Sequence, residues 1–376
     1  MATASIPRVS ASVVLLKPAL QKVFDNLRAA GFTLLGPRAR DGAIVLDEIA
    51  ALDDLPRGWT EEKQPGRYRL VPARNGQYFA FTVGPHSWKQ FLHPPRAVLF
   101  TAHRSNGTWV FEPAKPAAPQ YAFIGVRPCD LKAIALQDRV LLEGPVPDPH
   151  YRARRRQVFL LAANCGEAAA TCFCTSMKTG PRATTGFDLA LTELPDGFLI
   201  DVGSETGSQM LEGTDWEAAT AFDLGRASQA LQRAERQQRE LRTDDLPRLL
   251  YSNLEHPHWD EVAARCLSCG NCTLACPTCF CTTVEDSSNL RGQVAERTRV
   301  WDSCFTGDFS QVHGGNTRPT IRSRYRQFLT HKYASWIEQF GSVGCVGCGR
   351  CMTWCPVGID PTQEVKAFRV SPARPR

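Results

Sequence analysis

The chain has 376 residues, 43% hydrophobic and 22% charged, enough for two domains with buried cores, which excludes a chain disordered throughout. Its formal net charge is only +6, and no run approaches the roughly 20 apolar residues of a membrane span. The outlier is cysteine, at 15 residues. The N-terminal stretch Met1 to Leu16 carries one Arg and no long apolar region, so no secretory signal is expected and a cytoplasmic location is. In a reducing compartment that cysteine density argues against disulfides and for metal or redox chemistry.

Apolar spacing predicts a helix over Pro18 to Ala30, with Leu20, Val23, Phe24 and Leu27 on one face and Gly31 as its stop. Short strands are expected at Ala43 to Leu46, Tyr78 to Val83, Ala97 to Thr101 and Trp109 to Phe111, separated by Pro and Gly. Tyr121 to Val126 and Val158 to Ala162 read as fully buried strands, each running into a cysteine-bearing loop at Cys129 or Cys165. Open α/β sheets place ligands at such carboxyl ends. Asp188 to Glu193 and Phe198 to Val202 read as further strands. Arg226 to Arg242 is a charged helical segment with few apolar residues, expected to be an exposed connector. Beyond it the chain reads mostly helical with cysteine loops, Ile321 to Phe340 being the clearest helix. The expected fold is α+β: an α/β domain over 1–225, a helical connector over 226–255, and a helical, cysteine-rich domain over 256–376.

The strongest motif occurs twice. Cys266, Cys269, Cys272 and Cys276 stand in C-L-S-C-G-N-C-T-L-A-C-P; Cys345, Cys348, Cys351 and Cys355 stand in C-V-G-C-G-R-C-M-T-W-C-P. Both follow the C-x2-C-x2-C-x3-C-P run of bacterial 4Fe–4S ferredoxins. Three cysteines at three-residue steps can curl round one cubane, with Gly270 and Gly349 relieving crowding where the backbone wraps close. In two-cluster ferredoxins the fourth cysteine serves the other cluster. The expected ligand sets are therefore Cys266, Cys269, Cys272 and Cys355 for one cluster, and Cys345, Cys348, Cys351 and Cys276 for the other. Zinc also takes four thiolates, but normally from two separated C-x2-C pairs, which leaves the third in-phase cysteine and the trailing Cys-Pro superfluous.

Cys129, Cys165, Cys172 and Cys174 are the only cysteines of the first domain, and four is the number one more cluster needs. Their spacing matches no ferredoxin run, and buried structural thiols are the alternative. Cys279, Cys281 and Cys304 form a third group. They could complete a cluster with a non-cysteine ligand, replace a ligand named above, form a redox pair, or lie buried around the clusters. A 4Fe–4S core on four thiolates carries roughly −2, so three such sites would cancel the positive net charge and leave no argument for nucleic acid. No G-x-G-x-x-G turn, P-loop or G-x-S-x-G elbow is present, so no nicotinamide, flavin or nucleotide site is expected in this chain.

With these residues in hand, the chain resembles the beta subunits of cytosolic nickel–iron sulfhydrogenases and a related iron–sulfur subunit of anaerobic sulfite reductase. The resemblance rests on F-I-G-V-R-P-C-D-L-K-A-I (Phe123 to Ile134), Asn164-Cys165, T-C-F-C-T-S-M (Thr171 to Met177), both ferredoxin runs, W-D-S-C-F (Trp301 to Phe305), His313-Gly314-Gly315 and the helix from Ile321. The first 100 residues carry little of it. It implies a non-catalytic electron-transfer subunit of a hetero-oligomeric, NAD(P)-linked hydrogenase. Its partners would be the hydrogenase small and large subunits, together with a flavin-containing NAD(P)H-linked subunit. It also implies an α-helical ferredoxin-like dicluster domain, and a third cluster on Cys129, Cys165, Cys172 and Cys174. The competing readings are an electron-entry subunit of a sulfite or sulfur reductase and a zinc-stabilised interaction module.

Overall fold

Most of the apolar runs before residue 220 assemble into one eight-stranded sheet in the computed structural model, which describes residues 6–73 and 76–370. The strand order is Trp216–Ala218, Ser12–Leu16, Gly197–Val202, Leu189–Glu193, Val158–Ala163, Tyr121–Val126, Thr33–Arg40, Ala43–Glu48. The four strands from Leu189–Glu193 to Thr33–Arg40 are mutually parallel. Antiparallel pairs flank them.

Parallel strands buried on both faces need layers on both sides. Leu20, Val23, Phe24 and Leu27 of the helix Leu20–Ala29 pack on the face that carries Ala122, Ile124, Phe159 and Leu161. Leu131 and Ile134 of the helix Pro128–Leu141 pack on the other face, with Phe123, Leu160 and Ala162. This helix starts directly after Tyr121–Val126, so Cys129 lies in its first turn at the carboxyl end of the sheet.

Three expectations need correction. Tyr78 to Val83 is buried but is no strand. Its backbone is satisfied by side chains instead: Glu193 accepts from the amides of Tyr78 and Phe79, and Arg127 donates to the carbonyls of Phe79, Phe81 and Thr82. The charged segment after Arg226 is not an exposed connector throughout. Its helix spans Ala221–Glu235 and buries Ala227, Ala230, Leu231 and Ala234, because alanines at helical spacing let it lie close against its neighbours. The region after His256 is not only helix and loop. A hairpin, Thr282–Ser288 with Val294–Trp301, pairs with Arg96–Ser105 and Thr108–Pro113 in one four-stranded antiparallel sheet. That sheet takes two strands from each half of the chain.

The helix expected over Ile321 to Phe340 is present, but its middle turn, His331–Ser335, is π-helical between α-helical segments Ile321–Thr330 and Trp336–Phe340. Such turns re-aim side chains and concentrate at functional sites. Trp259, Tyr325, Phe328, Leu329, Met352, Val365 and Phe368 form the core beside it. Among the described residues no helix is long and apolar enough to cross a membrane.

Candidate metal centres

The two ferredoxin runs fold alike. After the first cysteine of each run the backbone turns left-handed, at Ser268 (φ 52°) and at Gly347 (φ 66°). This turns the amide of Ser268 onto Cys266 Sγ and that of Gly347 onto Cys345 Sγ, both at 3.4 Å. A second left-handed residue, Gly270 or Gly349, then caps a one-turn helix, Asn271–Leu274 or Arg350–Thr353, that carries the third cysteine. The glycines also admit neighbours. A Cβ on Gly349 would meet the Thr171 carbonyl oxygen at 2.3 Å, and one on Gly347 the Phe173 carbonyl at 2.5 Å. Gly270 has the side chain of Ser303 against it in the same way, at 3.2 Å. The segment Thr171 to Cys174 thus packs on the second run, and the Trp301 to Phe305 segment on the first.

Cys266, Cys269, Cys272 and Cys355 surround one cavity of about 500 Å³, open in part to solvent. Its remaining walls include Phe305, Phe328, Ile359 and Tyr325, whose buried hydroxyl has no hydrogen-bond partner. Ile359 donates its amide to Cys355 Sγ at 3.3 Å. Burial pushes the Cys272 thiol well above its ordinary value, and Cys266, Cys355 and Cys269 add to that, followed by Cys276. For Cys351 the order is burial, Cys345, Cys348, Cys276 and then Cys272. The first expected quartet thus lines one cavity together with Cys351, and the second adjoins it at Cys276 and Cys351, with Cys276 also hydrogen-bonded to Cys279.

The first-domain cysteines also converge. Cys129, Cys172 and Cys174 are buried and Cys165 is half-buried. Burial raises the Cys174 thiol to about 12, with Cys172 and Cys165 its nearest like charges and Cys348 beyond. Cys129 packs with Cys174, Val346 and Cys348 in one apolar cluster. This quartet therefore abuts the second ferredoxin run through Cys348. Cys279, Cys281 and Cys304 line a further cavity behind Cys276, where Cys279 is hydrogen-bonded to Cys276 and Cys281 to Cys304.

Several polar groups aimed at these sulfurs carry no signal in the sequence. Tyr333 donates to Cys345 Sγ at 3.3 Å, and Lys332 to Cys276 Sγ at 3.3 Å, both from the π-helical turn. Gln237 donates to Cys174 Sγ at 3.0 Å. Arg350 and Asp130 form a buried bidentate pair at 2.7 and 2.9 Å that ties the second ferredoxin run to the first turn of Pro128–Leu141. Only a helix-periodicity argument reaches Lys332 and Tyr333, and it assigns them to a helix face without saying what that face meets.

The donor chemistry fits iron–sulfur clusters. A cationic core offsets the burial that raises most of these thiols, while the Cys279 hydrogen bond and then the Lys332 ammonium draw Cys276 well below its ordinary value. Sulfurs flanked by N–H and O–H donors are the usual surroundings of cluster ligands. Among the described residues no three Cys, His, Asp or Glu side chains close round a single ion, as tetrahedral zinc would need.

Comparison with known proteins agrees. The family model described as 4Fe-4S dicluster domain matches residues 265–359, the stretch that holds both ferredoxin runs. The chain is 32% identical over 352 residues, 92% of its length and 95% of the relative's, to the protein named sulfhydrogenase 2 subunit beta of Pyrococcus furiosus. No solved structure matches the chain. The fold thus mixes helix and strand with an iron–sulfur dicluster domain toward its C-terminus, and the chain belongs to the sulfhydrogenase beta-subunit family.

Proposed function

We propose that this chain is a wire that passes single electrons through three 4Fe–4S clusters. Cys266, Cys269, Cys272 and Cys355 would hold the first, and Cys345, Cys348, Cys351 and Cys276 the second. Cys129, Cys165, Cys172 and Cys174 would hold the third. Bound clusters supply reversible one-electron chemistry at potentials set by charge, hydrogen bonds and exposure. The protein's part is to hold the thiols in order, keep water from them and aim donors at the sulfurs. The observation that carries the reading is the linear contact order. The first set meets the second at Cys272 and Cys276, and the second meets the third at Cys348 and Cys174.

The wire needs a donor and an acceptor at its ends. Cys269, in the first set, is exposed, which gives electrons a surface at which to enter or leave. The relative's name makes it one subunit of a sulfhydrogenase. On that basis the partners here are a flavin subunit handling NAD(P)H and the small subunit of a nickel–iron hydrogenase, in a cytoplasmic hetero-oligomer. Residues 256–376 form the dicluster domain in this reading and 1–225 the α/β domain, with 226–255 joining them. The shared four-stranded sheet then keeps the two as one electron-carrying unit.

Replacing one ligand tests the wire. In the complex purified without oxygen, Cys348→Ala is expected to perturb the second cluster and slow electron transfer between partner subunits. It removes the thiol at which the second and third sets meet. Full cluster content and full complex activity in that variant would refute the proposal.

A further inference from the structure

Cys279, Cys281 and Cys304 remain outside the three quartets, yet all line one cavity, together with His331 and Lys332. Its volume is about 1190 Å³, against about 500 Å³ for the cavity ringed by Cys266, Cys269, Cys272 and Cys355. Cys279 and Cys281 come from one loop and are half-buried; Cys304 is buried. The two segments are pinned together where the Asp302 amide donates to the Cys281 carbonyl at 2.9 Å.

Two buried ammonium groups flank these thiols. Lys332 is 5% exposed and donates to Thr278 Oγ1 at 3.0 Å and the Gly344 carbonyl at 2.9 Å, besides Cys276 Sγ. Lys89 is 6% exposed, donates to the Cys279 carbonyl at 3.0 Å and lies 4.0 Å from the centre of the Trp301 ring. Among the described residues neither forms an ion pair with a carboxylate. The acidic groups that face them are thiols, Cys276 and Cys279 in both cases, with Cys281 at Lys89 and Cys345 at Lys332. Two buried cations are costly without counter-charge, and the Cys276 sulfur that Lys332 touches answers only one of them. A Cys281–Cys304 disulfide would bring Lys89 no counter-charge and would leave the cavity unexplained. A cluster core on three thiolates carries net negative charge and has room in this cavity.

We propose that this cavity is a further iron–sulfur site, held by Cys279, Cys281 and Cys304, with His331 standing where a fourth ligand would come from. Lys89 and Lys332 stand beside it, and their charge favours its reduced state. The proposal rests on the electron-transfer reading above and adds a branch to it.

The test uses the full complex prepared without oxygen. Iron is counted, and accessible thiols are alkylated with iodoacetamide before and after iron chelation and located by mass spectrometry. The expected result is about 16 irons per chain, with Cys279 and Cys281 protected until chelation. Cys281→Ser/Cys304→Ser is expected to lose about four irons while the paramagnetic signals of the other reduced clusters persist. Alkylation of Cys279 and Cys281 in the intact complex would overturn the proposal, as would a Cys281–Cys304 disulfide or unchanged iron in the variant. The three-cluster wire would survive each of those results. A preparation without inorganic sulfide would defeat both.

Discussion

Tyr333 and Cys345 show how a single hydrogen bond can tune this chain. Burial pushes the Cys345 thiol up to about 11, working against the Lys332 ammonium and the Tyr333 hydroxyl, which favour the thiolate. A donor to a ligating sulfur stabilises the reduced, more negative state. Tyr333→Phe is therefore expected to lower the potential of the second cluster while leaving its iron in place. A redox titration followed by electron paramagnetic resonance checks this, and an unchanged potential would show that the contact is only packing. Gln237→Leu is expected to act the same way on the proposed third cluster, through its 3.0 Å bond to Cys174. Neither donor announces itself in the sequence, because each acts across the fold. Gln237 lies in a polar run, and Tyr333 sits on a helix whose pattern reports only burial.

At the scale of elements, the contact between the Thr171 to Cys174 segment and the second ferredoxin run decides whether the third set adjoins the second. Gly347 has φ 66° and no room for a Cβ. Gly347→Ala adds about 1–2 kcal/mol of left-handed strain to a backbone collision. The expected outcome is loss of iron from the second and third sites with the first retained, read from iron content and spectra. The Arg350–Asp130 pair clamps the same junction. Arg350→Ala leaves a buried carboxylate unpaired and is expected to cost about 3–5 kcal/mol of stability, seen as a lower denaturation midpoint. The cysteine runs and the doubly buried strands were legible because spacing and unbroken apolar character are local properties. The Tyr78 to Val83 segment was not, because its alternation resembles a strand while its backbone partners are Arg127 and Glu193. The hairpin from Thr282 to Trp301 was missed for a related reason. Its first strand is polar and mostly exposed, and its second finds its other neighbour, Arg96–Ser105, almost 200 residues away.

For the whole molecule, the shared four-stranded sheet and the buried Arg350–Asp130 pair join the two halves into one body. That continuity suits a relay, in which distances between carriers must hold. It also explains how an α/β sheet without any nucleotide motif contributes: its carboxyl end presents Cys129 to the dicluster region. The measurement that bears most directly on this account is inorganic sulfide and iron per chain in protein prepared without oxygen, read together with the paramagnetic signals after reduction. At least about eight of each, with two interacting cubane signals, is the result expected from the paired cysteine runs alone. A colourless protein that holds zinc and no sulfide would contradict it.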